Sequence, residues 1–436
     1  MISHELEDWL NSHDNFENGK LSRRATRPTL ERMKTLCKHM GDPQENIKAI
    51  HITGTNGKTS TTRISESLMR AKGFYTGTIS SPHLAYMNER VCLDSIPCSD
   101  YELEESLRFI KNVEESFEEV SKDLPSYFEI FVASGFEIMN KVATDIALIE
   151  VGMGGLYDAT NVCNSQVSVI TNVELDHMAY LGDTREKIAI EKSGIIKENN
   201  SVVISEQDHS ISQIFIEQAQ KVNARPVIIN EDFKLLSNEP AVGGRLLSFQ
   251  TLFNTYEDKF LPLLGEHQGM NALTAVVACE EFLGGPLGDE IIEIGFGQAS
   301  SPGRLEVLER NPLIIIDGAH NVAGAQALAR TLESDFAPMR KIYVLGLTKE
   351  KDAYAMINAL QIDVDDVVIA TAADSKRAME VSDLAKYLNE EGIDSVFEIP
   401  SSKDAIEYAK SIALDDDQII VTGSLYVVGE VRSHLV

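Results

Sequence analysis

The period of apolar positions changes several times along the chain, and each change predicts a new element. Leu6, Trp9 and Leu10 share one helical face, and Leu30, Met33, Leu36 and Cys37 share another, so residues 1 to about 46 read as helices that form no domain of their own. Ile47, Ile50, Ile52 and Thr53 then make a β-branched run, followed at once by Gly54, Gly57, Lys58 and Thr59. Ile64, Leu68 and Ala71 follow at helical spacing, which predicts strand, glycine loop and helix in that order. A short strand from Thr76 leads to Ser80, Ser81, Pro82 and His83, where the proline forces extended geometry and leaves the hydroxyls in a loop. From Asp100 to Leu124, the positions Leu103, Leu107, Ile110, Val113, Phe117, Val120 and Leu124 predict an amphipathic helix with an acidic outer face.

A second helix from about Tyr127 to Val142 leads into TDIALIEVG, whose unbroken apolar run suits a strand buried on both faces of a parallel sheet, with Glu150 at its carboxyl end. Residues 167–170 repeat that arrangement and deliver Asn172, Glu174, Asp176 and His177 to the same edge. Asp183 and Glu186 resemble an N-cap and its N3 partner, starting a helix that carries Lys192. Alternation continues through 202–205, 210–223 and 227–229. Residues 232–262 read as short strands and turns, and a helix from about 269 to 282 follows. Ser300, Ser301, Pro302 and Gly303 mark a linker, beyond which strands at 313–316, 342–345, 367–370, 396–399 and 419–421 alternate with helices. The expected fold is α/β: a P-loop-containing, mostly parallel-sheet ATPase domain over residues 1–299, then a smaller doubly wound Rossmann-like domain over 300–436.

Composition narrows the function classes. A formal charge of −29 over 436 residues disfavours nucleic-acid and anionic-membrane partners, so an anionic substrate needs a local positive site. Five scattered cysteines without a C-x-x-C pair indicate neither a disulfide framework nor a thiolate zinc site. MISHELEDWLNSH lacks the basic start and apolar core of a targeting segment, and no apolar run is long enough to cross a bilayer. The expectation is a cytoplasmic monomer acting on small molecules.

Ligands of open α/β sheets bind beyond the carboxyl ends of strands, so the polar groups there carry the chemistry. A helix opening on Gly54, Thr55, Asn56, Gly57, Lys58 and Thr59 presents amides and a positive dipole end to phosphate oxygens. Lys58 would reach a terminal phosphate of ATP and Thr59 a magnesium ion. The general pattern G-x-x-x-x-G-K-[ST] is incomplete, because Ile52 stands where its first glycine belongs. Ser81 and Glu150 are ordinary oxygen ligands for magnesium, and His177 is an unusual one. Taken alone, His177 also fits a hydrogen-bonded structural histidine, Glu150 a cap or ion-pair partner, and Lys192 a helix lysine with its head in solvent. Asp317 and His320 lie at a strand end of the second domain, where Asn321 can cap the next helix; capping plus a tight turn accounts for them equally.

Several motifs together resemble folylpolyglutamate synthase/dihydrofolate synthase of the Mur ligase superfamily: HITGTNGKTS, SSPHL, EVGMGG-LYDATN, TNVELDHMAYLG, EKSGIIK, GEHQGMNA, SPGRLE, IIIDGAHN and VTGSLYVVGE, in family order from residue 51 to 430. The shortened glycine loop is also what that superfamily has. The resemblance implies that residues 54–59 hold ATP phosphates, that Thr59, Ser81, Glu150 and His177 ligate one or two magnesium ions, and that Lys58, Lys192 and His177 are catalytic. It implies a carbamylated Lys192, nucleotide contacts from Asn271, Arg304 and Asp317, and a pterin site at Ser126, Tyr127, Phe128, Glu129, Asp158 and Ala159. His320 joins the substrate set with its role open. Some members have Gly-Gly-Arg-Leu-Asp where this chain has Leu156 and Tyr157 after the glycines, so a basic group near the pterin is missing. The activity implied is ATP-dependent addition of L-glutamate to tetrahydrofolate, and to dihydropteroate, through an acyl phosphate, in folate and one-carbon metabolism; ATP contacts split between domains imply closure over the site. The alternatives are another Mur-type ligase acting on a cell-wall precursor and a non-ligase P-loop ATPase. No Asn-Lys-x-Asp guanine signature and no G-x-G-x-x-G after the second domain's first strand speaks for a GTPase or a nicotinamide enzyme.

Overall fold

The apolar run ahead of the glycine loop forms β1 (Ala49–Thr53), with all five residues buried, in a computed structural model that describes residues 2–15, 30–117 and 124–436. It lies inside an eight-stranded sheet completed by β2 (Thr76–Ile79), β3 (Val91–Leu93), β4 (Ile96–Pro97), β5 (Ile146–Glu150), β6 (Val167–Ile170), β7 (Ser201–Ile204) and β8 (Arg225–Ile228). The order is β4-β3-β2-β5-β1-β6-β7-β8. All pairings are parallel except those of β3 with β2 and β4. Strands covered on both faces show no regular polar alternation, which is why β5 reads as an apolar run, while β1 and β6 each bury a polar residue between apolar ones, His51 and Ser168. Because β2, β5, β1 and β6 are parallel neighbours, the residues that follow them share one edge of the sheet.

Helix Lys58–Ala71 follows the loop, and helix Tyr127–Val142 precedes β5, as the periodicity predicts. Helix Asp100–Phe117 occupies the first part of the expected 100–124 span; Val120 lies outside the described residues. Leu6, Leu10, Met33 and Leu36 share a buried cluster with Ile79, Val91, Phe131 and Phe136, so the N-terminal helices extend this core. One cap differs from expectation. Helix Arg185–Ser193 is capped by Thr184, whose hydroxyl accepts from the Lys187 amide, while Asp183 one residue earlier pairs with the Lys187 ammonium at 2.6 Å. Both residues are good caps, and the backbone places Thr184 at the turn.

The region expected to hold short strands forms a three-stranded sheet of β9 (Lys234–Ala241), β10 (Gly244–Gln250) and β11 (Thr255–Leu261), with β10 central. By internal contacts the chain divides into two units: residues 1–238, 246–261 and 268–300, and residues 239–245, 262–267 and 301–436.

The second unit holds a six-stranded sheet of β12 (Glu306–Arg310), β13 (Leu313–Ile316), β14 (Lys341–Leu345), β15 (Val367–Ala372), β16 (Val396–Ser401) and β17 (Gln418–Thr422). Its order is β12-β13-β17-β14-β15-β16, parallel apart from β12. Inserting β17 between β13 and β14 is the crossover of a doubly wound sheet. Ile315, Leu328, Leu345, Leu384 and Ile420 belong to its main core cluster. Asn321 caps helix Val322–Asp335 as expected, accepting from the Gly324 amide at 2.8 Å. Among the described residues no helix is long and apolar enough to cross a membrane.

Candidate active site

The glycine loop is fastened to the strand beside it. The Thr55 amide donates to the Asn172 carbonyl at 2.9 Å, the Asn56 amide to the Asn172 side chain at 2.8 Å, and the Thr171 hydroxyl to the Asn56 carbonyl at 2.6 Å. The Thr55 hydroxyl meets the Glu174 backbone from both sides, at 2.9 and 3.1 Å. Two glycines are required by this fit. A Cβ on Gly54 would lie 1.7 Å from Thr171 Oγ1; one on Gly57, whose φ of +81° is left-handed, would lie 2.4 Å from Asn271 Oδ1. Gly57 is also the N-cap of helix Lys58–Ala71, so the positive end of that helix faces the loop. Asn271, held by its own bond to Gln268 at 3.0 Å, is therefore brought against the loop.

Lys58 and Lys192 converge on one oxygen. Lys58 Nζ donates to the carbonyls of Gly54 at 3.0 Å and Thr55 at 3.1 Å, and Lys192 Nζ donates to Gly54 at 2.7 Å. Lys192 is buried, at 3% exposure, which excludes the solvent-headed lysine the sequence allowed. Burial, reinforced by the Lys58 charge, holds its amine well below the usual lysine range.

Glu150 faces the loop from β5, whose register sets it opposite Ile52. The Thr59 hydroxyl donates to Glu150 Oε1 at 2.8 Å, and Glu150 is 2% exposed. A hydroxyl and a buried carboxylate beside a phosphate loop are hard oxygen donors and fit a magnesium ion. Ser81 follows β2 and so lies beyond the same sheet edge as Glu150. His177 is exposed, has a left-handed φ of 51° and caps the short helix Met178–Leu181, its amide donating to Asp176.

The residues expected around the pterin have scaffold partners. Ser126 and Glu129 form a reciprocal capping box, and Glu129 also pairs with Arg32 at 3.2 Å. Tyr127 is buried, while the Phe128 ring packs over the end of β5, where a Cβ on Gly152 would come within 2.6 Å of it. Asp158, beside buried Ala159, accepts from the amides of Met153 and Thr160 and from the Thr160 hydroxyl. Burial raises the Asp158 carboxyl above its usual range. In the second unit, Asp317 accepts from the amides of Leu305 and Ala319, both at 2.9 Å, and burial, opposed by the Arg304 charge, raises it too. The Arg304 guanidinium reaches over Gly318, where a Cβ would meet it at 2.3 Å, and His320 Nδ1 bonds the Gly318 carbonyl at 2.9 Å.

Residues 52–279 match the Mur ligase middle domain and residues 303–425 the Mur ligase glutamate ligase domain. A Mycobacterium tuberculosis protein named dihydrofolate synthase/folylpolyglutamate synthase is 36% identical over 437 aligned residues, spanning 93% of this chain and 90% of the relative. The chain belongs to the folylpolyglutamate/dihydrofolate synthase family of Mur ligases. A Bacillus subtilis relative of the same name is 34% identical over 94% of this chain and 96% of its own. The solved structure of Mycobacterium tuberculosis folylpolyglutamate synthase complexed with ADP and AMPPCP superposes with a TM-score of 0.91, at 35% identity, covering 99% of this chain and 97% of that one.

Within this Mur ligase, sequence reasoning missed Thr171, whose hydroxyl ties down the loop and whose bulk requires glycine at position 54. Its signal was available, since Thr171 and Asn172 directly follow a buried strand at the edge where ligands bind. Gln268, which orients Asn271, carried no comparable signal.

Proposed function

We propose that this Mur ligase is an ATP-dependent amide ligase that adds L-glutamate to a folate-type carboxylate, tetrahydrofolate or dihydropteroate. The observation that carries the reading is the convergence of Lys58, buried Lys192 and the Thr59–Glu150 pair on one phosphate loop. The relatives' names supply the substrate class, and the neighbour complexed with ADP and AMPPCP supports the nucleotide.

A carboxylate is a poor electrophile, so the folate oxygen attacks the γ-phosphate of ATP, giving an acyl phosphate and ADP; the glutamate amine then displaces phosphate and loses its proton as the amide forms. The amides of residues 54–59 hold the phosphates, and Lys58 leaves its backbone carbonyls to meet the charge that spreads over the transferring group. Magnesium, held by Thr59 and Glu150 with Ser81 and His177 completing the set, would offset phosphate charge. Burial favours the neutral form of the Lys192 amine, the form that adds carbon dioxide, so the carbamate reading has a chemical basis. Asn271 contacts nucleotide beside Gly57, and Arg304 and Asp317 carry the same proposed role in the second unit. Ser126, Tyr127, Phe128, Glu129, Asp158 and Ala159 shape the pterin wall, chiefly through Phe128, with His320 in the substrate set. We place the enzyme in the cytoplasm as a monomer with small-molecule partners only.

Phosphate release from ATP, measured with glutamate and either tetrahydrofolate, dihydropteroate or a cell-wall precursor, tests the reading. Turnover with a pterin is expected; turnover with the cell-wall precursor alone overturns it.

A further inference from the structure

Arg90 is among the largest fully buried side chains of the described residues, at 2% exposure. Burying a guanidinium is costly unless its surroundings compensate, so what surrounds it matters. The Arg90 guanidinium carbon stands 4.9 Å from the centre of the Phe131 ring and 5.5 Å from that of Tyr127, both on helix Tyr127–Val142. Its Nε donates to His83 Nδ1 at 2.9 Å. One side chain thus grips two structures: the start of the helix that carries Tyr127 and Phe128, and the loop that carries Ser81.

That loop is built to hold a shape. Its ends are paired, the Ser80 amide donating to the Arg90 carbonyl at 3.0 Å. Inside it, the Glu89 carboxylate gathers the amides of Leu84 at 2.8 Å, Ala85 at 3.2 Å and Tyr86 at 3.0 Å. Ser81 and Pro82 therefore sit between two fixed points, Ser80 on the backbone ladder and His83 on the Arg90 side chain.

We propose that Arg90, acting through His83, is a positioning residue that fixes the Ser81 hydroxyl relative to the Tyr127–Phe128 wall, coupling metal ligation to folate binding. The proposal rests on the reading above that Ser81 ligates the metal and that Phe128 bounds the folate. It adds the link between them. An apolar side chain of similar length would keep the packing on the two rings and lose the charge and the guanidinium donors, the one to His83 among them; a lysine would keep the charge and lose the planar stacking.

The test uses the full chain and the variants H83A, R90M and R90K. Binding of Mn2+, as a magnesium stand-in, is followed by electron paramagnetic resonance with AMPPCP present; KM is measured separately for ATP and tetrahydrofolate. H83A and R90M are expected to weaken Mn2+ binding and raise the tetrahydrofolate KM together, each by about tenfold, with the ATP KM rising in step with the lost metal affinity while metal-free AMPPCP binding stays within about twofold, because residues 54–59 are anchored independently on 171–174. A merely structural role would lower the active fraction and leave both constants at their wild-type values. His83 is only partly buried, so H83A decides the matter should R90M not fold. A folded H83A with wild-type Mn2+ affinity and tetrahydrofolate KM overturns the proposal. S81A and F128A separate the two levels: if they shift neither constant, the underlying site reading fails, whereas if they shift both while H83A shifts neither, the coupling alone fails.

Discussion

Gly57→Ala tests the loop most directly, because its cost can be worked out from two independent features. The new side chain must occupy a left-handed backbone at φ +81°, which costs an L-residue about 1 kcal/mol. Its Cβ must also clear Asn271 Oδ1, 2.4 Å away, and moving that amide breaks its 3.0 Å bond to Gln268, costing about another 1 kcal/mol. The expected loss of unfolding free energy is therefore about 2 kcal/mol, read from urea denaturation. Displacement of the loop should raise the ATP KM at least about tenfold, while the tetrahydrofolate KM changes little. Adding Asn271→Ala removes the obstructing oxygen and leaves the backbone penalty, so the double variant should recover about 1 kcal/mol relative to the sum of the singles. Equal destabilisation by Gly57→Ala with and without Asn271, or a wild-type ATP KM in Gly57→Ala, would refute the reasoning.

Lys58→Ala should lower kcat by about 100-fold or more with an unchanged melting temperature; near-normal glutamate addition would remove Lys58 from the mechanism. In carbon-dioxide-free buffer, Lys192 gives stability a definite pH slope: between its depressed folded value and the unfolded value of about 10.4, only the unfolded chain holds the proton, so stability should rise with pH. Lys192→Met should lose that rise, and parallel profiles would show that the amine is protonated in the fold. All five cysteines are buried, and burial pushes the thiols of Cys37, Cys98 and Cys163 up to about 12, so iodoacetamide should spare native protein and label it in urea; rapid native labelling, seen by mass spectrometry, contradicts this. Asn321→Ala should cost about 1 kcal/mol in urea denaturation through loss of the cap on helix Val322–Asp335, and an unchanged midpoint would show the cap to be dispensable.

What could be read from the chain divides along physical lines. Buried parallel strands and the loop–helix junction were legible because burial on both faces leaves an apolar run, and a glycine loop leaves a gap in the pattern that follows. β12 was not legible: Glu306–Arg310 is an antiparallel edge strand, charged at both ends and only partly buried, and resembles a linker. The helix start at Thr184 was missed by one residue because Asp183 and Thr184 are both competent caps. The burial of Lys192 could not be read from its neighbours, since its partner carbonyl on Gly54 lies 138 residues away and is reached only once β1 is in its sheet. Arg90 was passed over for the same reason: its meaning comes from two rings on a helix that begins 37 residues later.

The two lysines on the Gly54 carbonyl bring two amines to the place where the loop amides would receive a phosphate. Two ammonium groups sharing an acceptor repel across a poorly solvated gap, and burial together with the Lys58 charge lowers Lys192, which favours its neutral form. Lys58 donates to the Gly54 and Thr55 carbonyls, and a phosphate offers its ammonium a bond between two charged partners, which is the stronger kind. A neutral amine at Lys192 is also the one form that can become an anionic carbamate, which would turn the repulsion into an attraction and fix the direction from which Lys58 approaches the phosphate.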